Sequence, residues 1–237
     1  MNKKVSVILP AYNEEKNIEK SVKLFKSQKY QPMEVIVVVN NTTDRTYEIA
    51  QACADRVLNF PGKIGVSAAR NEGVKVAQGE VLVFSDVDSS ISDGGIERIV
   101  EITEGNTIGT LFGKGDNNSL KGKLLFFLKN CIHGSGIYHG VIDGVFFCHR
   151  EVFSKTGGFN KAKKIAEFQD FIKRARLVGA KYKIPRGCYA VTSLRRYEEK
   201  GYLKTLLFWL GWKIASLFKK EKEMSEEYFG TEDITKR

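Results

Sequence analysis

Proline and cysteine are both scarce in this 237-residue chain, at four residues each. Few prolines, and 22 glycines with no fixed period, exclude collagen-like and proline-rich linker architectures. Cys53, Cys131, Cys148 and Cys188 lie far apart with no CxxC pair. They form neither a zinc framework nor a disulfide scaffold, and single scattered thiols fit a reducing compartment. The opening segment MNKKVSVILPAYNEE holds only about five apolar residues before Pro10, too few for a signal-peptide core, so a fold that begins inside the cell is expected. Three common signatures are missing as well: the GxGxxG dinucleotide fingerprint, the GxxxxGK[ST] phosphate loop and the GxSxG nucleophile elbow.

What is present is an ordinary globular balance, with 42% hydrophobic and 28% charged residues, which excludes wholesale disorder. The length suits a single domain of ordinary to large size. The formal charge of +10 is unevenly placed. Residues 1–110 carry 13 Lys and Arg against 15 Asp and Glu, whereas residues 150–186 carry 11 against 3. A localised basic field attracts phosphate groups, whether of nucleic acid, lipid headgroup or phosphorylated substrate; a solvated lysine-rich helix face is the plainer alternative.

Along the first 88 residues strands and helices alternate. Residues 4–9 (KVSVIL) read as a strand and residues 14–29 as a helix capped by Asn13. Residues 33–39 (MEVIVVV) read as a doubly buried strand, and a helix follows to about Ala54. A third strand is expected over 55–60, a helix over 67–77 with Gly79 as its stop, and a fourth buried strand over 81–84 (VLVF). This alternation predicts an α/β fold with a mostly parallel, doubly wound sheet and helices on both faces. Further on, helices are expected over 91–104, 120–132, 150–155 and 168–177, with extended segments over 107–114 and 144–148. No internal repeat or low-complexity linker divides the chain, so one domain over 1–194 is expected, with a C-terminal appendage over 195–237.

In that appendage Leu203, Leu206, Leu207, Leu210, Ile214, Leu217 and Phe218 fall on one helical stripe, flanked by Tyr202, Phe208, Trp209 and Trp212. Lys204 and Lys213 interrupt it, which a spanning helix of about 20 apolar residues would not accept. Aromatic and lysine side chains bordering an apolar helix suit the membrane interface, and a helix buried against the domain or a partner is the alternative.

In open parallel sheets ligands bind at the carboxyl ends of the strands. The segments there are 10–14, 40–44, 63–71 and 85–88, all polar after apolar strands. The sharpest is Ser85-Asp86-Val87-Asp88. Two carboxylates one residue apart after a buried strand can reach a single divalent cation, and hard oxygen ligands suit Mg²⁺ or Mn²⁺ bridging a diphosphate.

Four blocks together, VSVILPAYNEE, EVIVVVNNTTDRT, GVSAARNEGVKVAQGEVLVFSDVDSS and GVFFCHREVFSKTGGFN, resemble the inverting family-two glycosyltransferases of GT-A fold, over about residues 4–185. The resemblance implies a nucleotide-sugar-binding half over 1–110 and an acceptor-binding half over 111–194. It implies that Pro10, Ala11, Tyr12 and Glu14 line the base and ribose pocket. Asn40 and Asp44 would stand near the base, Arg70 and Asn71 close to the donor with Lys63 nearby. Asp86 would lie by the ribose and metal, and Asp88 would be the principal metal ligand. Gly157-Gly158-Phe159 would shape the acceptor side. Arg195 and Arg196, after Thr192-Ser193, resemble a block that can hold the diphosphate, a helix-end basic pair being the alternative.

The sequence departs from the family pattern twice. Where the family has an Asp ending the second strand, this chain reads Val39-Asn40-Asn41, which leaves the donor base open. Where it has a Glu-Asp pair, this chain reads Ala166-Glu167-Phe168-Gln169-Asp170. Glu167 or Asp170 is therefore the candidate base for an inverting transfer. His133, His139 and His149 are read as near the acceptor region, with His139 the candidate to complete a metal shell.

The expected activity is transfer of a sugar, with inversion and with Mn²⁺ or Mg²⁺, from a nucleotide-sugar donor to a glycan or to a lipid-linked or polyprenyl-phosphate acceptor. The expected location is cytoplasmic and peripheral at the inner membrane face. A non-catalytic nucleotide-sugar-binding or membrane-associated relative is the alternative. Nucleic acid is not an expected partner, because the N-terminal half is net acidic.

Overall fold

The computed structural model describes residues 2–62, 64–136, 140, 144–163, 166–205 and 207, with Arg196 described by its backbone alone. Ten strands are described, β1 (Val5–Ala11), β2 (Met33–Asn40), β3 (Arg56–Phe60), β4 (Val81–Ser85), β5 (Ser89–Ile91), β6 (Thr107–Thr110), β7 (Phe112–Gly115), β8 (Val145–His149), β9 (Lys181–Lys183) and β10 (Tyr189–Thr192). The described helices are α1 (Ile18–Lys26), α2 (Thr46–Cys53), α3 (Val66–Val76), α4 (Gly95–Ile102), α5 (Leu120–Gly134), α6 (Arg150–Thr156), α7 (Glu167–Leu177) and α8 (Arg195–Lys200).

The main sheet has the order β3-β2-β1-β4-β8-β6-β9. β3, β2, β1 and β4 are mutually parallel, β8 runs antiparallel to β4 and β6, and β9 is parallel to β6. The continuous valine runs follow from this placement. Val5, Val7, Leu9, Val35, Val37, Val39, Val81 and Val83 point to one face, beneath Ile18, Val22 and Phe25 of α1 and Ile96 and Ile99 of α4. Their neighbours Ile8, Ile36, Val38, Leu82 and Phe84 point to the other, beneath α3, α6 and α7. With helices on both faces, no polar alternation is needed. Gly73 permits close packing of α3 on the sheet, since a Cβ there would lie 2.6 Å from Cγ2 of Ile8.

Three expectations are corrected. The first helix begins at Ile18 with Asn17 before it, and Asn13 instead takes a left-handed turn with φ of 51°. The helix expected over 91–104 starts at Gly95, because residues 89–91 are taken as β5 into a second sheet, β5-β10-β7. The extended segment 107–114 divides between the two sheets, β6 in the first and β7 in the second. Near residue 194, Leu194 is fully buried with Leu125 and Phe126 of α5, and Tyr197 and Tyr202 pack on the same cluster. Of the C-terminal apolar stripe, Leu206 and everything from Phe208 onward lie outside the described residues. No described helix is long and apolar enough to cross a membrane.

Candidate active site

The parallel strands β1, β2 and β4 end at Ala11, Asn40 and Ser85, and the segments beyond them meet. Asn13 Oδ1 accepts a hydrogen bond from the Thr43 amide (2.9 Å) and lies 2.9 Å from the Thr42 hydroxyl oxygen. The Glu14 amide donates to Thr46 Oγ1 at 2.8 Å, and the Glu15 amide to Asp44 Oδ2 at 3.1 Å. Asp44 Oδ1 accepts from the Thr42 hydroxyl (2.7 Å), the Thr46 amide (3.0 Å) and the Thr46 hydroxyl. Burial pushes its pKa up, but the Thr46 and Thr42 hydroxyls and the two amides outweigh this and lower it from the ordinary 3.8 to about 2. Asp44 thus ties the first two loops together.

Because its folded pKa lies below its unfolded one, Asp44 contributes stability that is complete well above pH 3.8 and is lost as pH falls towards 2. Allowing for solvent screening, Asp44→Asn is expected to cost about 1–2 kcal/mol at neutral pH. In urea unfolding, the gap between wild type and variant should shrink by about half near pH 3.

Arg70, on α3, is 1% exposed. Its Nη2 donates to Asp86 Oδ1 at 2.8 Å and its Nη1 to Glu167 Oε1 at 2.7 Å. The guanidinium lies over the Phe168 ring, 4.1 Å from its centroid, with Phe159 at 5.5 Å. Phe168, where the family carries an acid, therefore forms the apolar floor under this cation. Next in sequence, Asn71 exchanges two 2.8 Å hydrogen bonds with the backbone of Phe159. That clamp fixes the Gly157-Gly158 turn, whose φ angles of 71° and 78° only glycine adopts readily.

Across the cleft, burial raises the pKa of Glu14. The Asn17 side chain, 2.7 Å away, opposes the shift, while Asp88 and Asp86 add to it and Arg195 counters it. Glu14, Asp86, Asp88 and Arg195 thus share one field. Asp88 is exposed, and the Asp86 side chain is 45% exposed. The turn carrying both is held by the Asp86 amide on the Gly144 carbonyl (3.1 Å) and by a 3.1 Å hydroxyl contact between Ser89 and Thr192. Thr192 ends β10, so this contact leads directly to the Ser193–Arg195 turn, which Asp116 secures by accepting the Leu194 amide at 3.1 Å.

Asp116 and Gly144 are not among the residues singled out from sequence. A Cβ on Gly144 would lie 2.7 Å from Ser89 Oγ and 3.1 Å from Asp86 Oδ2, at a φ of 72°. The only sequence signal for it is a glycine directly before an apolar strand.

The other expected site residues are placed as follows. Pro10 and Ala11 close β1, the Ala11 methyl turning into the core, and Tyr12 is half-buried beyond them. Asn40 is buried and accepts the Ile64 amide at 2.9 Å. Asp170 does not face Arg70; its Oδ2 accepts from Arg174 Nε at 2.9 Å, and Arg174 Nη1 reaches the Thr156 carbonyl. Arg195 is exposed. Lys63, His139 and the Arg196 side chain lie outside the described residues. One histidine is not where it was expected. His149 pairs with Val81 at the opposite end of β4 and accepts the Glu151 amide, because β8 runs antiparallel. His133 is buried, with Nε2 3.0 Å from the Tyr182 hydroxyl.

Comparison with known proteins bears on the fold and the family. The family model described as "Glycosyl transferase family 2" matches residues 6–198. The uncharacterized glycosyltransferase EpsJ of Bacillus subtilis is 35% identical over 108 residues, 44% of this chain and 31% of that protein. The Escherichia coli UDP-Glc:alpha-D-GlcNAc-diphosphoundecaprenol beta-1,3-glucosyltransferase WfgD is 28% identical over 153 residues, 59% of this chain and 60% of that protein. This chain spans between about a third and three fifths of the length of these two relatives. Among solved structures, the mannosyltransferase PcManGT of Pyrobaculum calidifontis, in complex with GDP-Man and Mn²⁺, aligns with a TM-score of 0.65 at 20% identity, over 81% of this chain and 57% of that one. That likeness shows the shared GT-A scaffold. A carboxylate pair at the end of β4, on that scaffold, lies within a family match that runs from β1 to α8, and the chain belongs to glycosyl transferase family 2.

Proposed function

We propose that the chain transfers a sugar from a nucleotide-sugar donor to an acceptor hydroxyl with inversion, and that the acceptor is lipid-linked. The observation that carries this reading is Arg70, which bridges Asp86 of the paired-carboxylate turn to Glu167. One buried cation thereby fixes the donor-side and acceptor-side carboxylates relative to each other. Proximity set in this way lowers the cost of bringing two reactants into line.

Asp86 and Asp88 offer hard oxygens on an open turn, a donor set that fits Mg²⁺ or Mn²⁺. Among the described residues no third acid, histidine or cysteine completes a group of three, so the diphosphate and water would supply the remaining ligands. When bound, such an ion neutralises charge on the departing nucleotide diphosphate. The protein's own residues do the rest. Glu167 takes the proton of the acceptor hydroxyl as its oxygen attacks the anomeric carbon from the face opposite the leaving group. Arg70 holds Glu167 in place, and Arg195 adds positive charge on the diphosphate side. The base is assigned to Glu167 because its partner Arg70 also holds Asp86 of the donor-side turn, whereas Arg174, the partner of Asp170, ends on α6. The lipid-linked acceptor is suggested by the name of WfgD, which acts on a diphosphoundecaprenol-linked sugar. Action at the cytoplasmic face of a membrane belongs to the same reading.

The test is thermal stabilisation by UDP-, GDP-, dTDP- and CMP-sugars, each with and without Mn²⁺. A donor at about 100 times its Kd stabilises the native state by about 2.7 kcal/mol, a rise of about 5–10 °C for a chain of this size. The expected result is a metal-dependent rise with one nucleotide that disappears in Asp88→Ala. Absence of any rise would overturn donor binding and favour a membrane-associated relative that does not take a nucleotide-sugar.

A further inference from the structure

The helix α5 is apolar on two sides. Leu125 and Phe126 face inward against Leu194. On the outside Leu120 (83%), Leu124 (58%), Phe127 (64%), Leu128 (47%) and Ile132 (57%) are exposed. At about 100° per residue these five occupy one stripe roughly 140° wide. A soluble protein does not normally leave such a stripe to water, and patches of this kind mark docking surfaces.

We infer that α5 docks on an anionic lipid surface. Its sequence, LKGKLLFFLKNCIHG, contains three lysines and no acid. Lys123 is exposed beside the stripe, and Lys121 is exposed at its other edge, between Leu128 and Ile132. An apolar face bordered by lysines is the pattern of a helix lying in the headgroup region. Leu203 (69%) and Leu207 (55%) are exposed as well, in the segment after Tyr202, which packs on the Leu125–Phe126 cluster and lies 3.4 Å from the Ser119 hydroxyl.

Charge favours lipid over a second copy, since α5 has no acid to meet these lysines. Residues 201–220 of the chain itself carry four lysines and no acid and offer no complement. Residues 221–237 carry six acids, and seating of that segment on α5 would show as wild type that does not bind vesicles.

The placement suits the proposed reaction. Leu194, on which α5 packs, adjoins Arg195 of the candidate site, and a Cβ on Gly122 would lie 2.5 Å from Leu194 Cδ1. A helix is about 10 Å across, so a docked α5 puts the site within about that distance of the headgroups. An acceptor whose lipid stays in the bilayer could then present its sugar. This purpose rests on the lipid-linked reading, whereas the docking does not.

The experiment is partition of the full chain onto vesicles of phosphatidylcholine alone or with about 30% phosphatidylglycerol, a charge density that raises lysine binding. Neither donor nor acceptor is present, so failure of docking and failure of the acceptor reading are separately visible. Wild type should bind the anionic vesicles and bind the neutral ones weakly. Leu124→Gln/Phe127→Gln should weaken binding at least tenfold with an unchanged melting temperature, because both side chains are already exposed. Lys121→Gln/Lys123→Gln should weaken it about fivefold per lysine. No binding by wild type would overturn the inference. So would variants that bind as wild type does, which would leave attachment to another segment. A dimer in light scattering that the leucine–phenylalanine variant dissociates, without vesicle binding, would assign the face to a second copy.

Discussion

Arg70→Met should lose transfer activity by at least 10³-fold and destabilise the protein by about 3–5 kcal/mol, the range for removing one partner of a buried ion pair. Methionine keeps most of the side-chain volume and its contact with Phe168 and Phe159, so the loss reports charge rather than a cavity. Removing the cation leaves Asp86 and Glu167 without the guanidinium that joins them, and the Glu167 side chain, at 14% exposure, has little water to replace its partner. A small gain opposes this, because Arg70 Nε is buried without a hydrogen-bond partner and the variant removes that orphan. It does not offset two charged hydrogen bonds. Arg70→Lys separates the two effects. A lysine restores the charge but cannot reach two carboxylates in a planar fork, so stability should recover in part while transfer stays at least tenfold down. Urea midpoints and initial rates on the three proteins decide it. Wild-type values in Arg70→Met would show that the bridge organises nothing.

The distinction between local and distant partners explains what was legible in the sequence. The strands MEVIVVV and VLVF announce themselves because both faces of the sheet are covered, and the polar segments after them mark the rim that binds ligand. Asp44 was legible as a turn residue but not as the tie between two loops, since Glu15 lies 29 residues away. Glu167 and Asp170 look equivalent three residues apart on one helix. They differ only through their partners, Arg174 one turn away and Arg70 at a separation of 97 residues. Phe168 reads as a lost acid until Arg70 is seen above it. The second sheet was not foreseen because SSI, FGKG and YAVT are too short to show a period, and their pairing is long-range. His149 was misplaced for a related reason, since the antiparallel direction of β8, which carries it away from the rim, leaves no mark in its own apolar run.

That difference in partners makes the base assignment testable with two conservative variants. Glu167→Gln keeps an oxygen that can accept the Arg70 hydrogen bond, so the fold should hold, with a stability change of about 1–2 kcal/mol. It removes the proton acceptor, and the turnover number should fall by about 10²–10⁴-fold, the usual contribution of general base catalysis. Donor stabilisation in the presence of Mn²⁺ should be nearly unchanged, which separates chemistry from binding. Asp170→Asn should keep turnover within a few-fold and lose no more than about 1 kcal/mol, as befits a partly exposed i,i+4 pair. Loss of turnover in Asp170→Asn with wild-type rates in Glu167→Gln would exchange the two roles. Full activity in both would overturn general base catalysis by either carboxylate. The nucleophile would then be a group already ionised before it arrives, such as a phosphate oxygen, and the Arg70–Glu167 pair would serve only to hold Asp86.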